Sequence, residues 1–350
     1  MRIIISILIL MFVSCKQEVN LDSKTEHKKS NELVIYNWED YTPLSVVKQF
    51  EKETGIKVKI KSFQTIDEQI SRLQSNPSMC DLLVVDTHEA HKSFLTLKLI
   101  EELDQNLFVN DHVYHHLYED FKSLGVPYCF GLLGLAVDKR YVDLKFDNYS
   151  FLLNPKFKDK ISLLNEPVDL YDLCLNATEH GVNNISEKSH SKVIEFTNKL
   201  KQQRPVYQDV LSGLDALDAG KVWIAMAYSG DALLYKEENE NIEFILPSER
   251  PLVFADILSV SANAPNRENA YLFLKYINSP KIAAEIAMEY MYAPGILGAE
   301  SFMDKESLNN PLINISQDLL SECEWKLDND LSNKKINKVY QLLNGSNGAE

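Results

Sequence analysis

The 350-residue chain lacks any CxxC pair and any GxxxxGK[ST], GxSxG or GxGxxG motif. Without them the usual signatures of nucleotide hydrolysis, α/β-hydrolase chemistry and dinucleotide binding are missing. Cysteines are few: beyond Cys15, only Cys80, Cys129, Cys174 and Cys323, widely spaced, so neither a zinc site nor a disulfide framework is indicated. Cys80 and Cys129 sit beside apolar runs and read as buried thiols. Basic residues are in deficit, with 36 Lys and Arg against 51 Asp and Glu and a formal charge of −15. Nucleic acid is a poor partner for such a chain, because its phosphates need Lys and Arg to neutralise them. A small cation suits it better, although acidic surfaces also serve solubility. Metal chemistry is thin: His88-Glu89-Ala90-His91 has HxxH spacing but would need a third ligand for zinc. No internal repeat or low-complexity block is present, and no base is indicated for a Cys129 or Cys174 nucleophile, so an enzyme is not expected.

The N-terminus carries the one long apolar run. Arg2 precedes Ile3 to Val13, and Ser14-Cys15 closes it, which describes an export signal over residues 1–14. The run is too short to span a bilayer comfortably as a permanent helix. Leu10-Met11-Phe12-Val13-Ser14-Cys15 looks like a relaxed lipobox with Cys15 lipidated, Phe12 standing where a small aliphatic residue is usual. A plain cleaved signal with an incidental cysteine is the alternative. Residues 15–31 read as a polar, solvated tether. The roughly 320 residues beyond it suffice for two lobes with real cores.

After the tether, strand and helix signals alternate. Leu33-Val34-Ile35-Tyr36-Asn37-Trp38 reads as a buried strand, and Thr42 before Pro43 as an N-cap opening a helix that stops at Gly55. Between them lie two aromatics, Trp38 and Tyr41, and two carboxylates, Glu39 and Asp40. Lys57 to Lys61 alternates as a second strand. Thr65 and Glu68 form a capping-box pair, and Asp81 to Asp86 is a strongly apolar strand. This β-α-β-α-β order predicts parallel strands with crossover helices, and a ligand at their carboxyl ends. Further apolar runs at Gly131–Val137, Ile161–Leu164 and Val222–Tyr228, with helices capped by Asn266 and Ser279, complete an α/β architecture with two sheets.

Tyr36 to Tyr41, Phe50-Glu51-Lys52-Glu53-Thr54-Gly55-Ile56-Lys57-Val58, Asp81 to Val85, Val126 to Gly131 and Pro155 to Asp159 together resemble bacterial spermidine/putrescine-binding proteins. The likeness returns in Met226 to Ala232, Ser259 to Asn263 and Met291 to Pro294, in collinear order over residues 32–345. It implies a two-lobe periplasmic-binding-protein type II fold with ligand closed between the lobes. Lobe one would be 32–134 plus 256–300, and lobe two 135–255 plus 301–345. The implied function is the substrate-binding component of an ABC importer, tethered through Cys15 and partnered by permease subunits and a separate ATPase, with no cofactor. Another small cationic or organic ligand, or an adhesin role on the same fold, is the alternative.

Position by position, the resemblance puts Trp38, Glu39 and Tyr41 on one wall and Thr87 at a hydroxyl position. Glu166 and Asp169 match the acidic pair for one amine end, and Asp256 the acid for the central or second amine. Tyr228 and Phe254 match two tryptophan positions, and Tyr292 another aromatic wall. Two residues depart from the pattern: Glu89 stands where an aromatic is common, and Lys326 at a glutamine-like position where it would repel a cation unless it turns away or pairs. Taken singly, each aromatic could be core packing and each acid a helix cap.

Overall fold

The computed structural model describes residues 30–87, 90–103, 121, 123–146, 148–178, 180–246, 250–325 and 333–344. The chain enters through β1 (Glu32–Trp38), which alternates Leu33, Ile35 and Asn37 onto one face with Tyr36 on the other. Helix α1 (Leu44–Thr54) buries Val46, Val47 and Phe50 and ends at Gly55, whose φ of 74° lies in the left-handed region that glycine adopts without a Cβ clash. Thr42 does not cap it. Its hydroxyl accepts from Asn37 Nδ2 at 2.9 Å, and Pro43 takes the cap position with no side-chain bond. Strand β2 (Lys57–Phe63) follows, then α2 (Ile66–Ser75), where the Thr65 hydroxyl accepts from Glu68 N as expected. The return bond goes one residue early, from Gln64 N to Glu68 Oε2 at 2.8 Å. Both β2 and β3 (Leu82–Asp86) pair with β1 in parallel, as the β-α-β-α-β order requires.

The second half of the fold repeats this logic with β4 (Val126–Asp138), β5 (Ile161–Leu164), α3 (Pro167–Asn176), α4 (Glu187–Lys201), β6 (Val206–Gln208), α5 (Val210–Asp218), β7 (Ile224–Tyr228), α6 (Ser229–Glu238) and β8 (Ile242–Ile245). The chain then runs through β9 (Leu252–Val260), α7 (Arg267–Ile277), α8 (Pro280–Tyr290), β10 (Ala293–Pro294), α9 (Lys305–Asn309), α10 (Gln317–Glu322), β11 (Glu324–Trp325) and α11 (Asn333–Asn344). Both β6 and β7 lie parallel to β5. Among the described residues no helix is long and apolar enough to cross a membrane.

Instead of two separate sheets, one hydrogen-bonded path runs β2-β1-β3-β9-β4-β7-β5-β6, with β8 and β10 on β4 and β11 on β9. The reason is the length of β4. Residues from Val126 to Leu133 pair with β9 and Leu133 to Val137 pair with β7, so one buried 13-residue strand serves partners in both halves. Each half keeps its own core on both faces of its strands, as buried parallel strands demand. One half packs Leu33, Phe50, Val84 and Phe273 on one face and Tyr36, Phe63, Leu83 and Ile257 on the other. The other packs Leu135, Phe157, Leu163, Tyr171 and Val339 against Ala136, Leu214 and Ala225. Cys80, Cys129 and Cys174 are buried free thiols, and burial pushes Cys80 and Cys174 up to about 12, which leaves them inert.

Asp81 is the polar tie of the first half. Fully buried, it accepts from Val34 N at 2.7 Å, Asn266 N at 2.6 Å and Asn266 Nδ2 at 3.1 Å. The Asn266 side chain is thereby held at the foot of β3 rather than capping α7, which starts without a side-chain cap. Asp81→Ala leaves these donors without an acceptor, each worth about 1–3 kcal/mol when buried. The expected result is a loss of at least about 2 kcal/mol in urea unfolding, against a change near zero for a surface control such as Lys48→Ala on α1.

Candidate functional site

The parallel strands β1 and β3 in one half, and β5 and β7 in the other, end where the predicted site residues begin. Trp38 closes β1 and Tyr41 follows it, Thr87 follows β3, Glu166 and Asp169 follow β5, and Tyr228 closes β7. Phe254 and Asp256 lie on β9, and Tyr292 immediately precedes β10. Carboxyl ends of parallel strands are the usual place for ligands in α/β folds.

The turn after β1 is built around Asn37. Its buried side chain donates to Tyr41 O and to the Thr42 hydroxyl, and accepts from Trp38 N at 2.8 Å. Asp40 supplies the reversal at φ 54° and is exposed. Tyr128 adds a bond from its hydroxyl to Tyr41 O at 2.9 Å. The stretch is therefore split: Tyr41 turns inward, Trp38 lies half-buried against Phe63 at 4.4 Å, and exposed Glu39 accepts from Gln64 Nε2 at 2.7 Å.

From Tyr41 a row of rings crosses to the other half. Tyr41 meets Tyr292 at 5.8 Å, Tyr292 meets Phe254 at 5.3 Å and 87°, and Phe254 meets Tyr228 at 4.8 Å. Tyr128 and Tyr290 flank Tyr41 at 5.2 and 5.1 Å. Glycine permits the close approach: a Cβ on Gly131 would fall 2.8 Å from both Phe254 and Tyr292, and one on Gly230 would fall 2.7 Å from the Tyr292 ring.

Carboxylates stand at both ends of the row. Asp256 is 4% exposed, and burial raises its carboxyl to about 7; the Tyr41 hydroxyl opposes the rise and Asp231 adds to it. Asp231 keeps part of its surface accessible, yet desolvation raises it to about 6 against the hydroxyl of Tyr292. At the other end, Tyr228 donates its hydroxyl to Asp169 Oδ2 at 2.7 Å. Burial, then Asp169, Glu166 and Asp86, push that phenol well above its ordinary value. Glu166 occupies the N-cap position of α3 without making a capping bond, so the plain helix-cap reading of this acid fails.

Asp86, Asp231, Tyr128 and Tyr290 were not among the residues expected from sequence. Asp231 had a signal, an acid three residues beyond Tyr228 in the first turn of a helix. Asp86 had only its place as the last residue of β3; its relation to Asp256, its direct partner in the β3–β9 register, is long-range. Thr87 is buried at 5% exposure. Glu89, Lys326 and Cys15, with the tether and signal, lie outside the described residues. An open basin of about 530 Å³ around His180, Asn184, Arg250 and Glu324 shares no residue with the aromatic row. Among the described residues no group of three or more potential metal ligands forms. The row can hold positive charge at its ends and apolar chain between them.

Two α/β halves sharing the long strand β4 in one continuous sheet have the type II periplasmic-binding-protein fold. The chain belongs to the bacterial extracellular solute-binding protein family, whose model matches residues 45–313. It is thus a solute-binding protein acting outside the cytoplasm, not an enzyme. It is 23% identical over 331 residues to the spermidine/putrescine-binding periplasmic protein of Salmonella typhimurium, covering 92% of this chain and 94% of that one. Its fold is shared with the spermidine/putrescine ABC transporter substrate-binding protein PotD from Streptococcus pneumoniae, at TM-score 0.78, 21% identity, 90% of this chain and 99% of that one. The Tp0655 (TpPotD) lipoprotein of Treponema pallidum is equally similar in fold, at TM-score 0.78, 20% identity, 89% of this chain and 99% of that one.

Asp256 makes the stability of this site depend on pH. With its carboxyl raised to about 7, the folded chain still holds a proton that the unfolded chain releases near the ordinary value of about 4. The stabilisation is complete below about pH 4 and is lost as pH rises towards 7. Asp256→Asn should therefore match the parent at pH 4 and exceed it increasingly up to pH 7–8, measured as urea midpoints without ligand. A gap that shrinks with rising pH would reverse the assignment.

Proposed function

We propose that the chain binds a polyamine between its two lobes and delivers it, as the substrate-binding component of an ABC importer, to membrane permease subunits driven by a separate ATPase. The observation that carries this reading is Asp256, a buried carboxylate beside the Tyr41 phenol and a second acid, Asp231, at one end of an aromatic row that has acids at its other end. A buried charge needs a partner of opposite sign, because leaving it alone in a low-dielectric site is very costly. A polyamine supplies ammonium groups for the acids, and about 0.8 kcal/mol for each methylene buried between them. Each ammonium over an aromatic face adds roughly 0.5–2 kcal/mol. The similarity to a protein named for spermidine and putrescine agrees with this chemistry.

The contacts of this reading are Trp38, Glu39, Tyr41, Thr87, Glu89, Glu166, Asp169, Tyr228, Phe254, Asp256, Tyr292 and Lys326. Tyr41, Tyr228, Phe254 and Tyr292 form the walls, Asp256 one anionic end, and Glu166 with Asp169 the other. The lobes are 32–134 plus 256–300 and 135–255 plus 301–345, and closure around the ligand presents both to the permease. Residues 1–14 direct export, Cys15 carries the lipid, and residues 15–31 tether the body to the membrane, in keeping with the lipoprotein status of the Treponema relative.

Calorimetry of the mature chain with putrescine, spermidine and spermine tests the assignment. At least one should bind, and Asp256→Asn should weaken it by about tenfold or more while the unliganded variant remains folded. Absence of heat and of thermal shift with all three amines would overturn it.

A further inference from the structure

We propose that the pole of the second half at the opposite strand ends from the aromatic row docks on an anionic phospholipid bilayer, through the stacked rings of Tyr141 and Trp223 and the cations around them. This goes beyond the polyamine reading and does not depend on it, because the pole shares no residue with the row.

The topology places the pole. Strands β5, β6 and β7 run parallel, and Glu166, Asp169 and Tyr228 stand at the carboxyl ends of β5 and β7. The amino ends of the three strands start at Ile161, Val206 and Ile224, and β4, antiparallel to β7, finishes beside them at Asp138. Backbone hydrogen bonds stitch the segments at this end together. Asp138 N donates to Trp223 O at 3.0 Å, Trp223 N to Lys160 O at 2.8 Å, Asp159 N to Gln203 O at 2.8 Å and Lys139 N to Asn241 O at 2.9 Å.

Charge is segregated there. The described segments 138–146, 154–160, 201–206, 220–223 and 239–241 carry nine Lys and Arg against four Asp and Glu, in a chain of formal charge −15. Two of the acids are taken up locally, Asp138 by Arg140 at 2.6 Å and Asp159 by Arg204, while Asp143 and Glu240 are exposed. Lys139 turns to Glu243 at 3.8 Å. Among the described residues Lys145, Lys158 and Lys221 are exposed and make no ion pair. A basic pole on an acidic molecule orients it towards an anionic partner.

The rings decide which partner. Tyr141 stacks on Trp223 at 4.6 Å and 10°, with the Arg140 guanidinium 5.6 Å from the Tyr141 ring and Lys160 Nζ 5.2 Å from the Trp223 ring. Tyr141 and Leu144 are each 46% exposed. Amphipathic rings set among Lys and Arg are the composition that settles at a membrane–water interface, where cationic stems lie along apolar surface and their heads meet phosphate. A soluble polyanion would need the cations alone; the exposed ring and Leu144 fit a surface that offers headgroup phosphate and acyl chain together. A bilayer is also the surface to which the proposed anchor at Cys15 confines the chain.

Vesicle co-sedimentation of the mature chain carrying Cys15→Ser, which cannot take a lipid, tests the docking surface. Phosphatidylcholine vesicles with about 30% phosphatidylglycerol should retain it, and pure phosphatidylcholine at least about tenfold less. Salt at about 0.5 M should release it. Lys158→Glu with Lys221→Glu should lower the partition coefficient about tenfold or more, and Tyr141→Ser, a second and independent variant, about threefold or more, each with the thermal midpoint of the parent. Lys48→Glu with Lys275→Glu makes the same change in net charge at exposed positions of the first half and should leave retention within about twofold. Equal losses for the two charge-reversed pairs, equal retention on the two kinds of vesicle, or none on either, overturns the proposal. Binding to heparin without binding to the vesicles also overturns it and assigns the pole to a soluble polyanion. None of these outcomes bears on polyamine binding, which calorimetry tests separately.

Discussion

A carboxylate withdrawn from water beside other carboxylates has to be joined by something positive, whether a proton or a cation. Asp256 is held in that condition by everything around it. The strands β3 and β4 flank β9, and the phenols of Tyr41 and Tyr292 lie close enough to Asp256 to act on it electrostatically. On the polyamine reading, a built-in cation would satisfy the acid and leave nothing for the ligand to do. By surrounding it with phenols and another acid, the fold keeps the demand for positive charge open, at a cost in stability that the rest of the molecule has to carry. The two well-filled cores provide that reserve, and the glycines at 131 and 230 let the rings lie against backbone without opening gaps.

Local chemistry was legible in the sequence wherever it was self-contained. The helix ending at Gly55, the Thr65 cap, the strand Ile161–Leu164 and the parallel β1–β2 and β1–β3 pairs all follow from residue type and spacing. Thr42 and Asn266 misled for one shared reason. Each is a good capping residue, but a buried tertiary partner, Asn37 in one case and Asp81 in the other, competes for the same side chain and prevails. The merging of the two expected sheets was hidden because a 13-residue apolar strand looks the same whether it serves one partner or two.

The site divides along the same line. The aromatic positions could be anticipated, since strand ends followed by Tyr or Trp mark themselves. Which of them face one another could not: Trp38 and Tyr41 are three residues apart, yet one packs on Phe63 and the other opens the row to Tyr292. Asp86 shows the limit most clearly. In sequence it is only the polar end of an apolar strand, and its place opposite Asp256 comes from a strand that the chain reaches much later.

This geometry also explains why so acidic a site need not be a metal site. Calcium and magnesium take six or more oxygens converging on a point, and zinc takes three or four ligands at close range. Here the acids are set out in series along a row of rings, two beside Tyr41 and Tyr292, one opposite Asp256 on β3, two beside Tyr228. Spreading negative charge along a line removes the convergence that a metal ion requires and keeps the alternation of charge and apolar surface that an extended organic cation offers. The acidity of the chain as a whole does not distinguish these cases; on the polyamine reading, the distribution of the acids among the rings of the aromatic row does.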